Sequence, residues 1–237
     1  MEIATSESHI LSSECHHDVL KGGCLVCQFR ADLKLPHLPE MVFPNNSITI
    51  RCKDQPEVFI TFNALDALKE VNAETSPDVQ VKSSTAWQQA RSNKYDLHSG
   101  TSFDWTFTSE YQGTVQLFKI SPTNTAIDVE KLKRRDPIVF YSHLTLYEDE
   151  LADHGCAQMD IRVRVMPTYL FLLARFYLRI DEVLVRILDT RLFAERGKDF
   201  ILREWTKREA KNVNNSNEIW QHLPVIESKT SKLVIPT

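Results

Sequence analysis

Three groups of residues have the types and spacing to do chemistry. Cys24-Leu25-Val26-Cys27 has the two-residue spacing of a zinc knuckle, with Cys15, His16 and His17 upstream as further donors. Structural zinc needs four donors in a tetrahedron, commonly supplied as two close pairs. One C-x-x-C beside a His-His pair is half of that set, and Cys52 lies far off in sequence. Incidental free thiols are the plainer reading, and with no βαβ pattern around the pair a thioredoxin-like role is weaker still. The second group is Glu148-Asp149-Glu150-Leu151-Ala152-Asp153-His154-Gly155. Its carboxylates and imidazole could hold a divalent cation or supply an acid and a base. The spacing is not that of an EF-hand, and a solvated acidic turn between two strands explains it without a ligand. The third group is Val183 to Arg191. On a strand, Val183, Val185, Ile187, Asp189 and Arg191 share one face, and Leu184, Arg186, Leu188 and Thr190 share the other. Such a strand suits the floor of a cleft, where apolar surface meets an ionic rim that orients a peptide. The alternative is a structural Asp189–Arg191 pair at a sheet edge.

Nucleophile and phosphate motifs are missing from the chain: there is no G-x-S-x-G, P-loop, H-E-x-x-H or G-x-G-x-x-G. Triads assemble in space, so this alone does not exclude an enzyme. It does move the expectation toward a binding protein without catalytic activity.

Composition narrows the partners. The 237 residues carry 28 Lys and Arg against 32 Asp and Glu, a net charge of −4. A nucleic-acid or anionic-membrane surface needs a positive excess, so neither is expected. The longest apolar run, Tyr169 to Ala174, stops at Arg175, far short of the roughly 20 residues that span a bilayer. The acidic, polar start (Met1 to Glu7) lacks the pattern of a secretory signal, and the five cysteines read as free thiols. A cytoplasmic or nuclear protein with no cofactor is the expectation.

The elements that must position these groups read as follows. Residues 1–33 show no sustained apolar period and are expected to form a poorly ordered tail, leaving 34–237 as one domain. Ile48-Thr49-Ile50 and Val58 to Phe62 alternate as strands. Asn63 caps a helix from Ala64 to Val71. A short strand at Val79–Val81, a capping box from Thr85 to Gln88, and an aromatic strand through Phe103, Trp105 and Phe107 follow. Val115 to Ile120 reads as one strand, and Ile127 to Arg134 as a helix ended by Asp136-Pro137. Ile161, Val163 and Val165 alternate with Arg162 and Arg164. Tyr169 to Ile180 and Val183 to Phe193 make a hairpin across Asp181-Glu182, with a buried helix from Thr168 to Ile180 as its rival. The fold class is α+β, mostly antiparallel sheets with a few short helices.

At this point the sequence resembles a known family. Leu38-Pro39-Glu40-Met41, Phe62-Asn63-Ala64, Asp104-Trp105-Thr106, Glu148-Asp149-Glu150-Leu151, Asp153-His154-Gly155, Arg164-Val165-Met166-Pro167 and Asp189-Thr190-Arg191-Leu192 occur in the order of the TIPRL family. Its members are TOR signalling pathway regulators. The resemblance runs from about Leu35 to the C-terminus, and Glu182 stands where that family tends to place glycine. It implies a non-enzymatic regulator that grips the catalytic subunit of type 2A and 2A-like protein phosphatases, including its C-terminal tail. It further implies opposition to holoenzyme assembly, action in TOR and stress signalling, and work alongside the alpha-four/Tap class of phosphatase-binding proteins. The family's phosphatase-contacting positions map onto Asp66, Ile138, Ile187 and Asp189. A tail ending in an apolar residue and a carboxylate needs a slot and a donor. Ile187 and Val185 could line the slot, with Arg186 or Arg191 as donor. A metal-dependent hydrolase built on the 148–154 loop and an unrelated small-ligand or interaction module are the alternatives.

Overall fold

The computed structural model describes residues 1–11, 25–33, 35, 37–71, 89, 106–212 and 223–236. Two antiparallel sheets dominate it. The smaller joins β1 (Glu2–Ser6), β3 (Ser47–Arg51), β4 (Phe59–Asn63) and β5 (Thr114–Gln116) in the order β1-β3-β4-β5. The larger begins with β2 (Met41–Val42). It then runs through a meander of β7 (Phe140–Asp149), β8 (Gly155–Val165), β9 (Tyr169–Ile180), β10 (Leu184–Glu195), β11 (Phe200–Lys211) and β12 (Val225–Val234), and closes with β6 (Lys119–Pro122).

Period-two alternation decides which side chains meet. Ile48, Ile50, Ile60 and Phe62 of the small sheet are fully buried, as are Ile161, Val163, Leu172 and Ile201 of the large one. They form one core between the sheets, with Trp205 and Phe176 in it. Ile161 and Val163 point inward while Arg162 and Arg164 stay exposed, as the alternation in the sequence requires. Helix α1 (Leu25–Asp32) and helix α2 (Ala64–Lys69) feed Phe29, Ala64, Ala67 and Leu68 into the same core. Asn63 caps α2, its Oδ1 accepting from the Asp66 amide at 2.9 Å. Helix α3 (Val129–Lys133) is capped by Asp128, which accepts from the Glu130 and Lys131 amides.

Several expectations need correction. Residues 1–33 are not uniformly a loose tail. Glu2–Ser6 pairs along the whole of β3, from Glu2↔Arg51 to Ser6↔Ser47, and Phe29 and Leu33 are 5% and 4% exposed. Neither segment has the long apolar period that would reveal it, because a five-residue edge strand and a two-turn helix bury too few side chains. The strand read through Val115 to Ile120 is two strands in different sheets. Leu117, at φ 61°, breaks it and sends β5 to one sheet and β6 to the other. Tyr169 to Ile180 is the expected strand, not its helical rival. The hairpin after it closes over three residues, since Ile180 pairs with Leu184 and Val183 donates its amide to the Ile180 carbonyl at 3.0 Å. Glu182 takes φ 61° there, the backbone region that glycine enters most easily. The Val79–Val81 strand, the Thr85–Gln88 helix start and the Phe103–Trp105 pattern lie outside the described residues. So do Cys15, His16, His17 and Cys24.

The acidic loop is built tightly. Leu151, Ala152 and Asp153 follow one another at φ 51°, 57° and 66°, a left-handed turn that costs L-residues energy at each step. Asp149 holds its start, accepting from the Leu151 amide at 2.7 Å and from the Glu40 amide at 3.0 Å. At its end, a Cβ on Gly155 would run into the Arg179 carbonyl. This is no freely solvated turn: Asp149 is 5% exposed.

Candidate functional site

Because β10 has a full-length neighbour on each side, its alternation sorts the third group of residues cleanly. Val185, Ile187, Asp189 and Arg191 face away from the second sheet, whereas Leu184 and Leu188 belong to the core between the sheets. The strand is central, not an edge.

Register supplies the ionic partners. Asp189 lies opposite Arg175 on β9 and Thr206 on β11, and Arg191 lies opposite Glu204. Arg175 donates Nε to Asp189 Oδ1 at 2.7 Å and Nη2 to Oδ2 at 2.9 Å. Arg191 donates Nη2 to Asp189 Oδ2 at 3.0 Å and Nη1 to Glu204 Oε1 at 2.6 Å. The result is a row of alternating charge across three strands. Its centre is hidden: the Asp189 side chain is 0% exposed, against 33% for Arg175 and 22% for Arg191. Burial draws the Arg175 guanidinium down, but the hydrogen bond and charge of Asp189, with Asp160 beyond, outweigh it and hold the group above its usual value. Asp189 therefore cannot be touched by a ligand. It fixes two guanidinium groups whose outer edges can be.

Apolar surface flanks this row. Toward the turn, Val185, Ile187 and Leu223 form a small buried cluster with Tyr177 and Ala210 against it. At the other end, Ile127, Met166, Tyr169, Phe193 and Leu202 form a second. Both clusters are packed closed. Val185, Ile187 and Leu223 are 4%, 2% and 6% exposed, so the slot expected at Val185 and Ile187 is filled. The apolar surface beside the charged row is the partly exposed Tyr177 and Ala210.

The other expected positions lie elsewhere. Arg186 points to the opposite face of the sheet, 6% exposed, and is bound to Glu209 with Nη2 to Oε2 at 2.6 Å. It cannot share a ligand with Arg191. Asp66 sits in the first turn of α2, where a carboxylate suits the helix dipole. It accepts from Thr114 Oγ1 at 2.5 Å and Asn63 Nδ2 at 2.9 Å. It also lines an open groove of about 490 Å³ with Lys69, Tyr111, Gly113 and Arg203. The Tyr111 phenol beneath it is pushed well up by burial and donates to the Thr61 carbonyl at 2.9 Å. Ile138 is 55% exposed just before β7. Its row crosses the sheet near Ala194, roughly 20 Å or more along the strands from Ile187. So Ile187, Asp189 and Arg191 come together, and Arg186, Asp66 and Ile138 mark three other places.

Sequence reasoning missed Arg175 and Glu204. Arg175 is the first charge to interrupt the Tyr169 run, which is a signal. A two-residue hairpin loop, however, would place Ala174 opposite Asp189, and the third loop residue shifts Arg175 into that place.

Residues 41–215 match the TIP41-like family, a span that contains β2 to β11 and every member of the charged row. A TIP41-like protein of Caenorhabditis elegans is 46% identical over 96% of this chain and 85% of its own length. One of Homo sapiens is 38% identical over 99% of this chain and 87% of its own. The type 2A phosphatase activator tip41 of Schizosaccharomyces pombe is 35% identical over 82% of this chain and 76% of its own. With a match over most of its length and close relatives along almost all of it, the chain belongs to the TIP41-like family.

Proposed function

We propose that this protein is a non-enzymatic regulator that binds the catalytic subunit of type 2A and 2A-like protein phosphatases, its C-terminal tail included. The observation that carries the reading is the relation to a named type 2A phosphatase activator at 35% identity over 82% of the chain. The charged row supports it chemically. Arg175 and Arg191, pinned by Asp189, offer donors to a chain-terminal carboxylate, and Tyr177 and Ala210, partly exposed over the buried Ile187 cluster, offer apolar surface to the side chain before it. The protein acts in the cytoplasm or nucleus, in TOR and stress signalling, alongside the alpha-four/Tap class.

The test is a titration of purified catalytic subunit, full length and lacking its last few residues, into this protein. Binding at micromolar affinity or tighter that weakens at least fivefold on tail removal is the expected result. No binding of the full-length subunit would sink the reading. In the acidic loop Asp149 accepts from the backbone amides of Leu151 and Glu40, a turn-holding role that calls for no bound ligand.

A further inference from the structure

Among the described residues, a long stretch of one edge of the large sheet has no neighbouring strand. On its outer side β7 pairs with β2 only at Tyr147 and Glu148. The Phe43 amide then takes the Leu146 carbonyl, and the Asn46 side chain takes that of Thr145. From Phe140 to Leu144 no described residue pairs with that edge. Along these five residues, about 17 Å, alternate residues thus turn to that edge donors and acceptors that no described residue matches. Soluble proteins usually blunt such an edge with Lys, Pro or a charge pointing inward. Here Ile138-Val139-Phe140-Tyr141-Ser142-His143-Leu144 contains no Asp, Glu, Lys, Arg, Pro or Gly. Its first four side chains are 55%, 68%, 39% and 51% exposed.

The flanking chemistry says what would cover it. Tyr141 and His143 lie opposite Arg164 and Arg162 on one face of the sheet, and both arginines are exposed. Phe140 lies on the other face, opposite Val165. A strand added to β7 alternates its side chains between these faces. It meets long cations within reach on one side and apolar surface on the other. A second copy of this chain paired edge to edge would lay along β7 its own Ile138 to Leu144, which holds no Asp or Glu, and give Arg162 and Arg164 no carboxylate, so the arginines favour an acidic partner.

We propose that the Phe140–Leu144 edge of β7 is a strand-addition site for an extended segment of a partner protein in which carboxylates alternate with apolar residues. It rests on the phosphatase reading only in sharing Ile138, and the probe below contains no phosphatase, so the two can fail separately.

The probe is an acetylated, amidated eight-residue peptide alternating valine and glutamate, titrated into isotope-labelled protein and followed by backbone amide NMR. Shifts confined to residues 138–146 and their β8 neighbours are expected. Affinity should fall at least tenfold when lysine replaces glutamate in the peptide. It should also fall at least tenfold in the Val139→Glu and Tyr141→Glu proteins, which set a carboxylate against those of the peptide on the arginine face. Both altered side chains are exposed, and unchanged melting is checked beside them. A peptide with alternate N-methyl amides should not bind when the methylated edge faces β7. No shifts at millimolar peptide, or equal affinity for the lysine peptide, would overturn the proposal. So would a wild-type dimer in sedimentation that Tyr141→Lys dissolves, because the occupant would then be a second copy.

Discussion

Asp189 acts through its neighbours, and this changes what its substitution should do. With its side chain hidden and both oxygens bound to guanidinium groups, Asp189→Asn removes the charge that holds Arg175 and leaves Arg191 with Glu204 alone. A stability loss of about 1–3 kcal/mol is expected, the scale for leaving buried charged groups imperfectly paired, together with weaker phosphatase binding. Melting and calorimetric titration of the same samples check both. Arg175→Lys is the cleaner probe: it keeps the charge and loses the two-pronged geometry. It should cost at least fivefold in affinity, with melting shifted by only a few degrees. Cys156 makes the opposite point about accessibility. Burial and the Glu148 carboxylate, against a smaller opposing effect of Arg179, push its thiol up to about 11. At pH 8 its thiolate fraction is then roughly a hundredfold below that of an ordinary cysteine. Site-resolved alkylation should find Cys156 slower by about that factor.

Two turns carry the lesson at the level of elements. Glu182 occupies a left-handed position that suits glycine, while Gly155 sits where no side chain fits. Glu182→Gly should therefore stabilise the protein by roughly 0.5–1 kcal/mol, by relieving backbone strain. Gly155→Ala should destabilise it by about 3 kcal/mol or more, since backbone must move to admit the methyl group. Denaturant melts of the two variants give both signs. These turns also show where the sequence was readable. Period-two alternation located β3, β4 and β8, β-branched residues about the turn located the β9–β10 hairpin, and Asn63 announced α2, because each is encoded by residues next to one another. The left-handed path at Leu151–Asp153 and the break at Leu117 were not readable, because ordinary residues adopt them under tertiary constraint. The candidate site was half legible: the facing of Ile187, Asp189 and Arg191 followed from alternation. Their partners Arg175 and Glu204 depended on a register fixed by a single loop residue.

Across the whole molecule, the stretch before β2 is tied to the core. His37 packs edge-on to Phe107 at 5.4 Å between ring centroids. Burial lowers its pKa, only partly opposed by the Leu38 carbonyl and Glu40. A histidine depressed in the folded state binds more protons when unfolded. Its contribution is intact above about pH 6.5 and is lost as the pH falls below that value toward the folded pKa. The melting temperature of the wild type should drop more between pH 7.5 and 5.5 than that of His37→Gln, and the difference of the two drops is the quantity to measure.

The order of the large sheet also sets an order in time. Its six central strands, β7 to β12, are consecutive in the chain, yet its two outermost strands, β2 and β6, come from residues made earlier. At synthesis rates of roughly 5–20 residues per second, the hundred or so residues of the meander take about 5–20 s to emerge. Met41–Val42 can join β7 as soon as that first strand emerges, but Lys119–Pro122 has no strand to join until β12, the last, is made. One margin of the sheet is thus translated before the meander and placed only after it. Through most of that interval the chain carries, at β6, the border of a sheet whose neighbouring strand does not yet exist.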